Sequence, residues 1–432
     1  MRKILLSVLV SGLLIQVSTG QALLTVEEAI NIAVKNNYEI LISQTSSEIS
    51  RADNTAGNAG MLPDIGLNVT DNYAHNNTSL DLSSGEKINS TNAHSNALNG
   101  NVELNWTLFN GGKMFVTKKK LNEIESLGEI QFQDQVNQTI YDVIMAYFDV
   151  VRQKQQLSSI NEAIDFNKER VKILEASFNA GLVPKTDLLQ SQVDLNVYLE
   201  NAMLQETIIT NSKRTLNKYL SQDADKPFEV IDSIELNYVA DSNALISKLY
   251  NTNTQVLSFQ KQLEISKLSV KEMVAQRYPS LNFNATYNYL QSENSASNVL
   301  KNRTYGPQLG GALTLPIYYG WNIRRQIGIA RLEEKTAGYN LENIRLQVNT
   351  DLLNALTAYE KALQLVNLEK QNSVLAKENL TICMQRLRLG QTTALEVRQA
   401  EESYVQSLTR KILFQYAAKD AETKLRQLVA AF

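Results

Sequence analysis

The sequence predicts a mainly α-helical chain with a membrane β-barrel contribution, built as two structural repeats. Three observations predict it: an internal repeat in fixed register, four stretches that alternate apolar and polar residues, and long proline-free stretches with coiled-coil periodicity. The repeat pairs Asn37 with Asn253 and Pro63 with Pro279, both at an offset of 216. Further along it pairs Gly111 with Gly320 and Gly181 with Gly390, both at 209. A constant offset on each side of one change in length marks duplicated architecture, with the change falling in a loop.

The chain opens with Arg2 and Lys3, an apolar run from Ile4 to Val17, and small residues at Ser18, Gly20 and Ala22. That is the pattern of a secretory signal peptide over 1–22, too short to span a bilayer as a helix. Cleavage before Gln21 or Leu23 leaves no N-terminal cysteine, so no lipid anchor is expected. A capping box then starts a helix at Thr25, with Glu28 as its acidic partner.

Strands are predicted at about 63–74, 100–110, 279–290 and 304–318. In the first, Ile65, Leu67, Val69 and Tyr73 share one face, and Asp64, Gly66, Asn68, Thr70 and Asn72 the other. Val102, Leu104, Trp106 and Leu108 repeat the pattern, as do Leu281, Phe283, Ala285, Tyr287 and Tyr289, then Leu309, Leu313, Leu315 and Ile317. A wall between lipid and water requires this alternation, and a half-buried sheet on a soluble domain shows it too. The Asn-rich second face favours the membrane. So do aromatic residues at the strand ends, Trp106, Phe109, Tyr318, Tyr319 and Trp321, which suit an interfacial girdle. Residues 74–99, rich in Asn and Ser, read as a solvated loop.

Helices are predicted at about 112–179, 185–220, 320–389 and 393–428, with a linker at 221–250. The first would run for roughly 100 Å at about 1.5 Å per residue. Its apolar positions, among them Ile140, Val143, Tyr147, Val150, Leu157, Ile164 and Phe178, follow the alternating three and four spacing of a coiled-coil seam. The two repeats thus divide as 23–220 and 251–432.

Four strands cannot close a barrel, and open edges in hydrocarbon are costly, so the chain is expected to oligomerise. Two copies give eight strands with a side-chain-filled interior; three give twelve and a water-lined lumen, which the polar face favours. The expected assembly is a homotrimer with a 12-stranded barrel.

Composition excludes other classes. A net charge of −3 over 432 residues gives no nucleic-acid footprint. The lone cysteine, Cys383, rules out an intramolecular disulfide. The only histidines, His75 and His94, lack a neighbouring cysteine or carboxylate cluster, so no metal site is expected. No phosphate loop, nucleophile elbow or paired-acid motif stands in a credible context, so neither a cofactor nor an enzyme is expected.

The repeated strand hairpin and long helical hairpin, with the glycine-marked tips Phe178–Val183 and Leu387–Thr392, resemble the TolC-like outer-membrane efflux family, the outer-membrane factors. The resemblance covers essentially the whole mature chain. It implies an outer-membrane channel subunit of a tripartite efflux or type I secretion system, with the helices forming a periplasmic tunnel and 221–250 an equatorial belt. It implies partners as well: a periplasmic adaptor (membrane fusion protein), an inner-membrane pump of RND or ABC type, and outer-membrane lipid. The tips Gly181, Leu182, Val183, Gly390, Gln391 and Thr392 would dock the adaptor.

By the same resemblance Thr186 and Asp187 match positions that hold the tunnel mouth shut through a Tyr and an Arg. Here those partner positions carry Leu387 and Thr392. Glu396 matches one acidic ring position, and Gln399 stands at the other. Asp187 and Glu396 equally suit helix N-termini following Pro184 and Thr393, where the helix dipole favours a carboxylate. A soluble periplasmic coiled-coil adaptor or holdase would account for the signal and the heptads, but not for four strands repeated in register.

Overall fold

A computed structural model describes residues 23–295 and 299–432; the expected signal peptide lies outside the described residues. The chain forms two compact units. The first comprises the described residues up to Ile40 with Val136–Leu245 and Leu352–Phe432, and the second holds Leu41–Gln135 and Ile246–Asp351.

The first unit begins with α1 (Val26–Asn36), whose N-terminus carries the full capping box between Thr25 and Glu28. It also contains the C-terminal part of α3 (Lys113–Asn179), α4 (Lys185–Tyr219), the C-terminal part of α7 (Asn322–Arg388) and α8 (Ala394–Leu428). Ala29 and Ala33 of α1 pack against Val143, Tyr147 and Val150 of α3, Leu216 at the end of α4, and Phe228, Val230 and Ile234 of the following segment. Each large aliphatic side chain buried here contributes about 1.5–3 kcal/mol. Tyr147 is fully buried and its hydroxyl is satisfied twice: it donates to the Leu24 carbonyl at 2.8 Å and accepts from the Ile231 amide at 3.3 Å. The linker is thereby fastened to the α3 surface.

The second unit holds most of α2 (Tyr38–Asp53), β1 (Asp64–Asp81), β2 (Lys87–Asn110), the start of α3, α6 (Thr254–Ala275), β3 (Ser280–Asn294), β4 (Lys301–Thr314) and the start of α7. The strands make one antiparallel sheet in the order β1-β2-β3-β4. Among the described residues no helix is long and apolar enough to cross a membrane.

The opening helix is broken at Asn37, and its repeat mate Asn253 separates α5 (Ser242–Thr252) from α6. The two asparagines do the same work. Asn37 Oδ1 accepts from the Glu39 amide at 2.9 Å, and Asn253 Oδ1 from the Val256 amide at 3.0 Å, so each caps the helix that follows it. Gly111, with φ +69°, lies where a Cβ would come within 2.3 Å of the Ala275 carbonyl oxygen, so only glycine fits.

One expectation is overturned. Residues 74–99 are largely strand: β1 continues to Asp81 and β2 starts at Lys87, with a short turn between them and one shift of register between Asn76 and Thr78. The ladder runs on because backbone pairing does not depend on the hydrophobic contrast that the sequence loses at this point. Pro307, which removes a ladder donor, sits on β4 at the sheet edge, where that loss is tolerated.

Candidate functional site

Three features stand out, the sheet surface, the hairpin tips and a buried polar cluster above the tips.

On the sheet, the strand register stacks like with like. Ile65, Leu104, Ala285 and Leu309 form one row across all four strands, and Leu67, Val102, Tyr287 and Pro307 the next. The neighbouring rows on this face are Val69–Gly100–Tyr289–Tyr305, Trp106–Phe283–Gly311 and Phe109–Leu281–Leu313. From Leu281 to Tyr289 these five uncharged rows span about 27 Å at about 3.4 Å per residue. An outward apolar band on a membrane barrel is about 25 Å tall.

The opposite face carries rows such as Asn68–Asn101–Asn288 and Asp64–Asn105–Asn284. Leu309 and Leu313 are 72% and 71% exposed, so among the described residues nothing covers them on the apolar face. Of the expected girdle, Trp106 and Phe109 lie near the end of β2, and Tyr318, Tyr319 and Trp321 follow β4. Trp106 Nε1 donates to the Met61 carbonyl at 3.0 Å, and Tyr318 meets Trp321 edge-on at 6.3 Å. All five aromatics are exposed.

The two tips are built alike. At the end of α3 the Leu182 amide donates to the Ser177 carbonyl at 2.9 Å and the Gly181 amide to Phe178 at 2.8 Å. At the end of α7 the Gln391 amide donates to Arg386 at 2.9 Å and the Gly390 amide to Leu387 at 3.0 Å. Both are Schellman motifs with a left-handed glycine, φ +74° and +67°. Gly181, Leu182, Gly390 and Gln391 are exposed, Val183 and Thr392 half-buried. Behind them an apolar cluster of Leu174, Leu188, Leu380, Met384, Leu387 and Val397 unites the ends of α3, α4, α7 and α8.

Thr186 and Asp187 occupy the first turn of α4, and Glu396 that of α8. Leu387 is buried in the apolar cluster and offers Thr186 no polar partner; the Thr186 hydroxyl lies 3.5 Å from Asp187 Oδ1. Glu396 is exposed, its amide donates to Thr393 Oγ1 at 3.3 Å, and its carboxylate accepts from the Thr392 hydroxyl. The structure therefore links Thr392 to Glu396 within α8's own N-terminus. It brings Asp187 and Thr393 to the wall of one cavity of about 320 Å³, which Arg170, Asp194 and Arg398 also line.

Arg170 belongs to a cluster that the sequence did not reveal. It is 2% exposed, and its Nη2 donates to Asp194 Oδ2 on α4 at 2.7 Å and to Asn167 Oδ1 at 2.7 Å. Asn167 Nδ2 in turn donates to Glu401 on α8 and to the Ala163 carbonyl. Burial pushes the Glu401 carboxyl above its usual range, with Arg170 opposing the shift. Burial and Glu401 together push the Tyr198 phenol upward. Charged residues at these positions read as solvated helix faces, and only the packing of three helices brings them together. Among the described residues no three His, Cys, Asp or Glu side chains gather as a metal cluster.

Comparison with known proteins gives a concordant result. The family model described as outer membrane efflux protein matches residues 29–222 and 245–431. Outer membrane protein TolC of Vibrio cholerae serotype O1 is 22% identical over 377 residues, covering 83% of this chain and 82% of that protein. Among solved structures, the Campylobacter jejuni CmeC outer membrane channel superposes with a TM-score of 0.79 at 17% identity, covering 94% of this chain and 85% of that one. The outer membrane protein VceC of Vibrio cholerae gives 0.76 at 16% identity, covering 94% and 95%. The match to the family model spans most of the chain, and this protein belongs to the outer membrane efflux protein family, whose place is the outer membrane.

Proposed function

We propose that the chain is one third of a passive export duct: a homotrimer whose sheets close a 12-stranded barrel in the outer membrane and whose long helices line a periplasmic tunnel. The observation that carries this reading is the sheet itself. It presents five uncharged rows on one face, an Asn-rich opposite face, and two edge strands whose outer sides no other strand among the described residues pairs. A lone sheet of this kind would leave its edge groups unsatisfied in hydrocarbon, and closure with further copies removes that cost. The duct works by passage rather than by catalysis, needs no cofactor, and conducts what an adaptor and an inner-membrane pump of RND or ABC type deliver. Nothing observed favours the soluble periplasmic reading, which leaves the exposed apolar rows without a purpose.

In this reading the repeats divide at 23–220 and 251–432, with 221–250 as a belt. The tips Gly181, Leu182, Val183, Gly390, Gln391 and Thr392 meet the adaptor. Thr186, Asp187 and Glu396 set the mouth, and three Glu396 carboxylates drawn toward one axis would raise cation affinity there. The girdle aromatics meet the lipid interface.

The test is the oligomeric mass of the detergent-extracted protein together with its single-channel conductance. A conducting trimer supports the duct, and a non-conducting monomer overturns it. In the same bilayer, Glu396→Gln is expected to lower the preference for cations over anions; unchanged selectivity removes Glu396 from the mouth.

A further inference from the structure

The chain has only two histidines, and the fold sets them face to face. His75 on β1 is the direct cross-strand partner of His94 on β2, so both side chains rise from the same face of the sheet. Directly opposed residues place their Cβ atoms about 5 Å apart. The imidazole centres are 6.3 Å apart at an interplanar angle of 64°, and both residues are exposed. Backbone bonds hold the position: the His94 amide donates to Ser295 Oγ at 2.9 Å, and the Ser295 amide donates to the His94 carbonyl at 3.0 Å.

A second observation points to the same place. Asn96 lies two residues from His94 on the same face, and its Oδ1 is buried with no hydrogen-bond partner among the described residues. Its cross-strand neighbour Glu293 is already engaged by Lys301 at 2.7 Å. Tyr73, opposite Asn96, stands edge-on to His75 at 6.4 Å. The pair lies three rows past the Val69–Tyr305 row, so it stands about 20 Å along the strand beyond the apolar band. That places it in water, open to a dissolved ion.

We propose that His75 and His94 form a divalent transition-metal site, with Asn96 Oδ1 as a further oxygen donor and water completing the shell. Two imidazoles on one ion at about 2.0–2.1 Å from each nitrogen bring the ring centres to about 5 Å. Small rotations about the exposed side-chain torsions close the difference, and the backbone need not move. Imidazole donors select copper, nickel and zinc over the hard ions calcium and magnesium, and among these copper binds tightest. The site forms from one hairpin of one chain and does not depend on the duct reading.

The test uses the full chain in detergent, titrated with Cu²⁺ and followed by electron paramagnetic resonance, with Ca²⁺ as the hard-ion control. The expected result is one Cu²⁺ per chain with hyperfine coupling to two imidazole nitrogens and no competition from Ca²⁺. His75→Ala and His94→Ala, both at exposed positions that leave the fold intact, are each expected to weaken binding by about tenfold or more. Asn96→Ala is expected to weaken it less than either histidine change. No saturable binding in the wild type, or a loss of affinity with only one of the two histidine variants, overturns the proposal.

Discussion

Arg170 Nη1 lies 3.3 Å from Glu401 Oε2, and both side chains are 2% exposed. The pair joins α3 to α8, and the bond from Arg170 to Asp194 extends the connection to α4. Removing one member leaves the others charged in a dry environment, which costs more than the intact pair contributes. Arg170→Met is expected to lower stability by about 3–5 kcal/mol. Adding Glu401→Gln should return part of that loss, because it removes the stranded carboxylate. Denaturant unfolding of the two variants in detergent checks this, and strictly additive losses would argue against a coupled cluster.

Glu401 also gives the fold a pH dependence. Its folded pKa is raised, chiefly by burial. The folded chain therefore holds this proton where the unfolded chain has released it. The associated stability is fully present below the ordinary glutamate value and is lost as pH rises through the elevated one. Thermal unfolding of the wild type should fall relative to Glu401→Gln as pH climbs through that window. Parallel melting curves across the window would show that Glu401 does not contribute.

At the first hairpin tip, conformation and docking can be separated by choice of substituent. Gly181 has open space around it, so only its positive φ resists a side chain. Gly181→Val should cost about 1–2 kcal/mol of local stability. Gly181→Asn tolerates the left-handed conformation and should be close to neutral. If the bare tip meets an adaptor, the Asn variant will assemble normally yet export poorly. Normal export by that variant reduces the glycine to turn geometry.

The rows of the sheet make a paired prediction one residue apart. Leu309 lies on the apolar face beside Ala285, and Gln308 lies on the polar face beside Thr286. Leu309→Arg should cost about 2–4 kcal/mol if that face meets lipid at mid-depth. Gln308→Arg should be tolerated and shift ion selectivity instead. The amount of each variant recovered in the outer-membrane fraction distinguishes them, and equal recovery would mean that the two faces are not lipid and water.

Much of this architecture could be read in the residues, because the features that encode it are local and repeated. Asn37 and Asn253 cap helices in both halves, and Gly181 and Gly390 close identical motifs, so each marker needs only its own neighbours to be recognised. The apolar rows were legible for a related reason: contact with lipid imposes a period of two along each strand. Beyond Tyr73 that contrast ends, and the strand signal ends with it although the backbone ladder continues to Asp81. Arg170, Asp194 and Glu401 lie on three different helices, and the meeting of His75 with His94 depends on hairpin register. Neither grouping leaves a periodic trace in the sequence.

The even number of strands carries a consequence for assembly. In a fully antiparallel sheet of four, the two border strands β1 and β4 point in opposite directions. When β4 of one copy meets β1 of the next, the seam is antiparallel like every contact within the chain. A three- or five-stranded subunit would force a parallel mismatch at each junction. Duplication of a hairpin therefore preserves parity as well as adding length, and identical subunits can join in a ring of any size without an odd seam. Nothing in the strand directions counts the subunits, so the helices and the curvature of the wall must do so.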